Sequence, residues 1–402
     1  MDNKRTKLHQ RRPQITCQES IHCAGEDKEN IPLTKTKLPH DVLFKLPNQS
    51  LARIKCVSKE FKAAISHPDF IALRRPSLII QLIPRRSITT STLFFKHFRI
   101  GFPKVEEIPL EMANHMPKDP YLIGSCHGLL CFVSFKRTGK IHYVYNSLTK
   151  EWKSSPPIES YGKRFCGLYH KMSTNTYHLL THVLSKNHLS NGIRIMDGQY
   201  KVHELGTSAW RAVSEENNPY VPLQCKQTPV AISSCLYWIC FSNKEHESRM
   251  ILAFDVEMEK FSYIKEPTGV DLPHNDSEAL TLVETDFGLG YPTFTEATMN
   301  IWVMRGQDRG WEKFYAINLK PIQVFNTCWY FPRYVVLLCT MGEIWFSDHG
   351  SHTGGTIKLT IYDCNLHTLR SIDFQSLFPE CFAGVINYTA CLWKSSISSN
   401  AF

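Results

Sequence analysis

The feature that most constrains this chain is a recurring pair of large residues seven positions apart. Tyr145 precedes Trp152 in YNSLTKEW, His203 precedes Trp210 in HELGTSAW, and Phe254 precedes Phe261 in FDVEMEKF. Tyr362 and Leu369 repeat the step in YDCNLHTL, and Met304 and Trp311 give a weaker copy in MRGQDRGW. The first residues stand at 145, 203, 254, 304 and 362, so the intervals are 58, 51, 50 and 58. Each unit reads as a strand, a polar turn and a returning strand. Paired large residues then face each other across a hairpin. Four of the five units also carry a glycine- or cysteine-marked strand upstream: HGLLCFV, SCLYWIC, FGLGY and GEIWFSD.

One hairpin is marginal alone, and repeats of this size become stable by stacking. A period near 50 with short strands predicts a mainly β fold, a kelch-like β-propeller. Five units, together with strand-like sequence in 78–120 such as Leu78-Ile79-Ile80-Gln81-Leu82-Ile83, predict about six or seven blades over residues 78–398. The competing architecture is an irregular β-sandwich with coincident spacings.

Ahead of the β region the texture differs. Residues 1–36 are polar, hold few large apolar side chains and read as a disordered tail. Residues 37–75 read as a small helical module. Leu38-Pro39 and Leu46-Pro47 each precede a helical pattern, and Leu51, Ile54, Val57, Phe61 and Ile65 then trace one helix face. His67-Pro68 ends it. So short a segment cannot bury all these apolar residues itself, and it is expected to dock on another protein.

The order of residues in this segment resembles an F-box. The matching positions are Leu38-Pro39, Asp41, Leu46-Pro47, Ser50-Leu51, Arg53, Cys56-Val57, Lys59, Ile65, Pro68 and Phe70. Phe61 stands where such motifs usually carry Trp, and the stretch around Val42 between the two Leu-Pro pairs is about one helical turn short. Residues 121–375 are similar to the F-box-associated domain of plant F-box proteins, through GSCHGLLCF, YKVHELGTSAWRAV, ILAFDVEMEKFSYIKEP and LTIYDCNLHTLRSIDF. The resemblance implies a substrate-recognition subunit of a Skp–cullin–F-box ubiquitin ligase. Its partners would be a Skp-family adaptor with the cullin ligase core, and an unnamed target protein. The implied adaptor contacts are Leu38, Pro39, Val42, Leu46, Pro47, Leu51, Ile54, Val57, Phe61, Ile65 and Pro68.

Charge narrows the classes of partner. The formal net charge is +9, but residues 1–75 hold 15 Lys/Arg against 8 Asp/Glu, a net of +7. The remainder is nearly balanced, so no basic face for nucleic acid is expected on the β domain. No apolar run is long enough to span a membrane, and the first twenty residues show no secretory pattern. The 14 Cys are therefore expected to be reduced, and the chain to reside in the nucleus and/or cytoplasm.

Little chemistry stands out. His178 and His182 are four apart, but on a strand that spacing exceeds about 13 Å, so a structural or surface role is expected. The other histidines read as ordinary surface residues. Cys126 and Cys235 sit in expected core strands. No Gly-x-Ser-x-Gly, phosphate loop or dinucleotide fingerprint occurs. The expectation is a receptor without catalysis, cofactor or metal. Two alternatives stay open: a stand-alone propeller adaptor whose shortened F-box no longer serves a ligase, and a propeller hydrolase with a site assembled in space. Two tail motifs remain. Lys28-Glu29-Asn30 resembles a degradation signal, and Lys4-Arg5 with Lys7 and Arg11-Arg12 could serve nuclear import.

Overall fold

The structure is a computed structural model. Among residues 1–76 it describes 42–43, 46, 48–67 and 70. Beyond them it describes 77–84, 94–99, 106–108, 120–136, 139–146, 149–158, 167–184, 188–190, 193–195, 198–213, 221–222, 229–241, 249–268, 281–295, 298–305, 310–321, 334–340, 342–348, 358–373 and 385–393.

Among the described residues the N-terminal module holds two short helices bounded at both ends, α1 (Asn48–Lys55) and α2 (Lys59–Ser66). Arg53 and Lys55 in the last turn of α1 complement its dipole. Ser58 caps α2, its Oγ accepting from the Phe61 backbone N–H at 3.1 Å. Leu43, Leu51, Ile65 and Phe70 make a small core, with Leu46, Ala52, Ile54 and Phe61 packed at its edge.

The strands that follow group into six antiparallel units among the described residues, five of four strands and one of five. The first holds β1 (Ser77–Pro84), β2 (Phe94–Arg99) and β3 (Glu106–Ile108). The second is β4 (Tyr121–Cys126), β5 (Leu129–Lys136), β6 (Gly139–Asn146) and β7 (Glu151–Ser154). The third is β8 (Gly167–Lys171), β9 (Thr176–Leu184), β12 (Gly198–Glu204) and β13 (Arg211–Ala212), with the small hairpin β10 (His188–Ser190) and β11 (Ile193–Ile195) inserted between β9 and β12. In the fourth, β14 (Val221–Pro222) and β15 (Val230–Ile232) share one edge of β16 (Cys235–Phe241), followed by β17 (Arg249–Asp255) and β18 (Lys260–Ile264). The fifth is β19 (Val283–Thr285), β20 (Gly288–Phe294), β21 (Thr298–Arg305) and β22 (Gly310–Asn318). The sixth is β23 (Tyr334–Thr340), β24 (Glu343–Asp348), β25 (Lys358–Asp363) and β26 (Thr368–Asp373).

β27 (Val385–Trp393) returns to pair with β1 and supplies the missing inner strand of the first unit. Inner strands then neighbour one another around a ring: β27 beside β4, β4 beside β8, β15 beside β19, β19 beside β23, and β23 beside β27. Between β8 and the fourth unit the approach is close. A Cβ on Gly167 would lie 2.8 Å from Leu236 and 3.0 Å from Pro229. The described residues thus form a β-propeller of six blades, within the expected six or seven, and this overturns the sandwich alternative.

The core lies in the seams between blades. Ile79 meets Phe132 and Tyr145; Val144 meets Leu168 and Leu179; Leu180 and Val202 meet Trp238 and Phe254; Ile251 and Ile264 meet Leu289 and Tyr291; Ile301 and Ile317 meet Val336 and Phe346. Sheets covered on both faces need strands apolar on both faces. The runs Leu129–Val133 and Ile251–Phe254, buried throughout, meet that need.

The seven-residue step now has a structural cause. Tyr145 pairs with Trp152, Phe254 with Phe261, Met304 with Trp311 and Tyr362 with Leu369, each directly across the third-to-fourth-strand hairpin of its own blade. His203 and Trp210 lie one position beyond the Val202–Arg211 pair, with ring centroids 5.0 Å apart. Behind three of these residues stands Asn or Asp, which organises the turn. Asp255 Oδ1 accepts from the Glu257 and Met258 N–H groups, and Asp363 Oδ1 from those of Asn365 and Leu366, all at 2.9 Å. Asn146 Oδ1 accepts from Thr149 at 3.4 Å. The glycine- or cysteine-marked segments are the second strands of their blades. In the first of them His127 and Gly128, both at positive φ, form the two-residue turn between β4 and β5.

Candidate docking surfaces

The helical module divides its apolar stripe. Leu51 and Ile65 are fully buried in the module's own core. They hold α1 against α2, so neither is placed to reach a partner. Ile54, Phe61 and Leu46 are half-buried at the margin of that core. Val57 is 73% exposed and Val42 41% exposed. Of the expected contacts, these two present apolar surface to solvent. Leu38, Pro39, Pro47 and Pro68 lie outside the described residues, as do Lys28, Glu29 and Asn30 of the tail. Arg53, Lys59 and Lys62 are exposed on the same two helices, and burial together with Lys62 lowers the Lys55 pKa.

The second surface follows from propeller topology. First-to-second-strand turns and third-to-fourth-strand turns leave the sheets at the same end of the ring. Exposed large side chains gather at these tips: Met172, Met258, Phe287 and Leu366. Two of them stand on adjacent blades in a rigid frame. Glu257, from the outer turn of the fourth blade, accepts the Met172 N–H at 2.5 Å and the Ser173 N–H at 3.2 Å from the inner turn of the third. Glu259, two residues on and at φ 52°, accepts from Tyr169 Oη and Lys171 Nζ at 3.4 Å and from Arg211 at 2.5 Å. Burial would raise the Glu259 pKa, but Arg211 and Lys171 outweigh it and hold the carboxyl below its ordinary value. Sequence reading missed these residues. Their signal was the repeat itself, since Glu259 fills the left-handed turn position held by Lys150 and His367 in other blades.

Two histidines depart from expectation: His142 and His203 are buried rather than on the surface, and His178 and His182 are buried as well. His178 stacks on Tyr169 at 5.2 Å, and His182 meets the Tyr200 edge at 4.7 Å. Their structural role agrees with the strand argument. His142 and His203 flank Trp210. Burial, with nearby Lys140 and His203, pushes the His142 pKa down to about 3. Trp210 and Trp152 are each half-buried. Trp210 does bridge a seam: its indole N–H donates to the Pro156 carbonyl at 3.1 Å. Trp311 repeats the contact two seams further, donating to Lys265 O at 2.8 Å. Pro156 and Lys265 stand at equivalent places, four residues beyond Trp152 and Phe261. The thiols of Cys126 and Cys240 are pushed up to about 12 by burial, opposite to what a nucleophile needs. No group of three or more metal-ligating side chains occurs among the described residues, and no described helix is long and apolar enough to cross a membrane.

The family model of the F-box associated beta propeller domain matches residues 97–338. An F-box protein of Arabidopsis thaliana is 24% identical over 394 residues, covering 92% of this chain and 99% of its own length. A second Arabidopsis F-box protein is 25% identical, over 78% of this chain and 91% of its own. An Arabidopsis F-box/kelch-repeat protein is 24% identical, over 70% and 71%.

Proposed function

The chain belongs to the F-box associated β-propeller family, and from that premise we propose that it is the non-catalytic substrate-recognition subunit of a Skp–cullin–F-box ubiquitin ligase. The observation that carries this reading is the exposed apolar pair Val42 and Val57 on a self-contained, basic helical module ahead of the propeller. The module docks a Skp-family adaptor, and the propeller holds a target protein. Ligase chemistry belongs to the partner subunits, so this chain contributes proximity and orientation. The exposed basic side chains of the module steer an acidic adaptor surface toward it. We place the complex in the nucleus and/or cytoplasm, with Lys28-Glu29-Asn30 as a signal for the receptor's own turnover.

Calorimetric titration of purified adaptor onto the full chain tests the reading. Binding is expected in the micromolar range or tighter. Val57→Asp should abolish it by burying an unpaired charge, while leaving the melting temperature unchanged. Leu51→Asp is the wrong probe, because it would unfold the module. If the natural chain does not bind while a chain with four helix-forming residues inserted after Phe44 does, the ligase role is lost. The stand-alone propeller adaptor is then the correct reading.

A further inference from the structure

The chain enters the propeller and leaves it at one point. β1 and β27 pair antiparallel, and Ser77, the first residue of β1, lies opposite Trp393, the last of β27. Residues paired in this way stand about 5 Å apart. Phe70, in the core of the helical module, precedes Ser77 by seven positions, and residues 394–402 follow Trp393. Seven residue steps span at most about 25 Å and nine at most about 32 Å. The segment after β27 is therefore longer than the tether between module and ring. It reaches the module's core at every position the tether allows.

The module offers this segment an uncovered surface, Val57 at 73% and Val42 at 41% exposure. Residues 394–402 read KSSISSNAF, with two large apolar side chains, Ile397 and Phe402, and one charge, Lys394. The chain ahead of the module is poorer in large apolar residues, and its cluster from Lys4 to Arg12 has the same charge as the module's exposed Arg53, Lys59 and Lys62.

We infer that residues 394–402 fold back on the helical module and cover Val57 and Val42 with Ile397 and Phe402, so that the adaptor must displace them. This inference rests on the receptor reading above and gives its docking site a built-in competitor. A weak contact suffices, because the tether supplies the concentration. At an effective concentration of about 1 mM, a contact with a dissociation constant of about 0.2 mM weakens apparent adaptor binding about sixfold.

The full chain and its Ile397→Ser/Phe402→Ser variant provide the test. Both substitutions lie beyond β27, so the ring should close as before and the two chains should melt alike. Calorimetric titration of purified Skp-family adaptor should show three- to tenfold tighter binding to the variant. Hydrogen exchange without adaptor, followed by mass spectrometry, should be at least threefold faster in the variant over residues 54–62. Equal exchange over that segment in the two chains overturns the proposal. So does a difference confined to β1 and β27, which would mean that the segment packs on the first blade, and so does equal adaptor affinity. If the adaptor binds neither chain, the ligase reading fails, and the exchange comparison still decides whether the module is covered.

Discussion

In residues 42–70 an apolar stripe of helical period splits, Leu51 and Ile65 vanishing into a private core while Val57 on the same stripe faces water. In the propeller, each repeated pair sits across one hairpin of one blade and packs into a seam. Tyr145 is fully buried, with Trp152 against it at 4.6 Å. A helix stripe records only that one face is apolar. Two short helices can satisfy that face with each other, and the remainder is left for a partner. A cross-strand pair records a distance and a register, so its packing leaves less freedom. The module is thus built to be completed from outside, and the ring is built to complete itself, as β27 does by pairing with β1.

The sharpest way to break this contrast is to make the same change on both sides of it. Tyr145→Ala should cost about 3–5 kcal/mol and Leu51→Ala about 2–5 kcal/mol, as deletions in closed cores do. Val57→Ala should stay within about 0.5 kcal/mol, as exposed positions do. Urea unfolding monitored by tryptophan fluorescence and far-ultraviolet dichroism would measure all three. A Val57 variant as unstable as the Leu51 variant would mean that the stripe has a single role.

Acid probes the seams selectively. Burial lowers the pKa of His142, and of His178 and His203 as well, so these groups stay neutral in the folded chain. Their pKa is depressed by folding, so the unfolded chain binds the extra protons. Stability is then fully present above about pH 6.5 and declines as pH falls toward the folded value, which for His142 is about 3. The His142 site alone contributes a slope of up to about 1.4 kcal/mol per pH unit within that window. Thermal melts at pH 7.5 and 5.0 should separate by several degrees. No buried histidine occurs among the described residues of the helical module, so its adaptor affinity should change less over the same range. A melting temperature independent of pH would refute the seam argument.

These seams also show how far sequence could reach. Tyr145/Trp152, Phe254/Phe261 and Tyr362/Leu369 were readable because a hairpin keeps its partners seven residues apart. The Trp210 and Trp311 contacts to Pro156 and Lys265 were not, because they link residues 54 and 46 positions apart in the chain. The same holds for Glu257 and Met172, which meet only when two blades close on each other. The helical module was readable as a docking segment, while the division between Leu51 and Val57 needed the α1–α2 packing. Trp210→Phe and Trp311→Phe remove the indole donor together with part of the ring and should each cost about 1–3 kcal/mol. Similar losses at both seams would establish that the two contacts are copies of one device.

The smallest effect compares two equivalent turns. The inner turn of the second blade is His127-Gly128, with φ of 45° and 83°. In the fourth blade the turn between β15 and β16 is Ser233-Ser234, with Ser233 at φ 53°. A side chain at positive φ brings its Cβ against backbone, whereas glycine takes that region without cost but loses more freedom on folding. The two terms nearly cancel, so Ser233→Gly should raise stability by only about 0.5 kcal/mol. Gly288, at φ 136°, has no such balance, because a Cβ there would lie 2.7 Å from the Met304 carbonyl oxygen. Gly288→Ala should therefore destabilise by more than Ser233→Gly stabilises. Denaturant midpoints for the two variants would resolve the signs. A loss at Ser233 would mean that its hydroxyl, rather than its backbone, is what the turn requires.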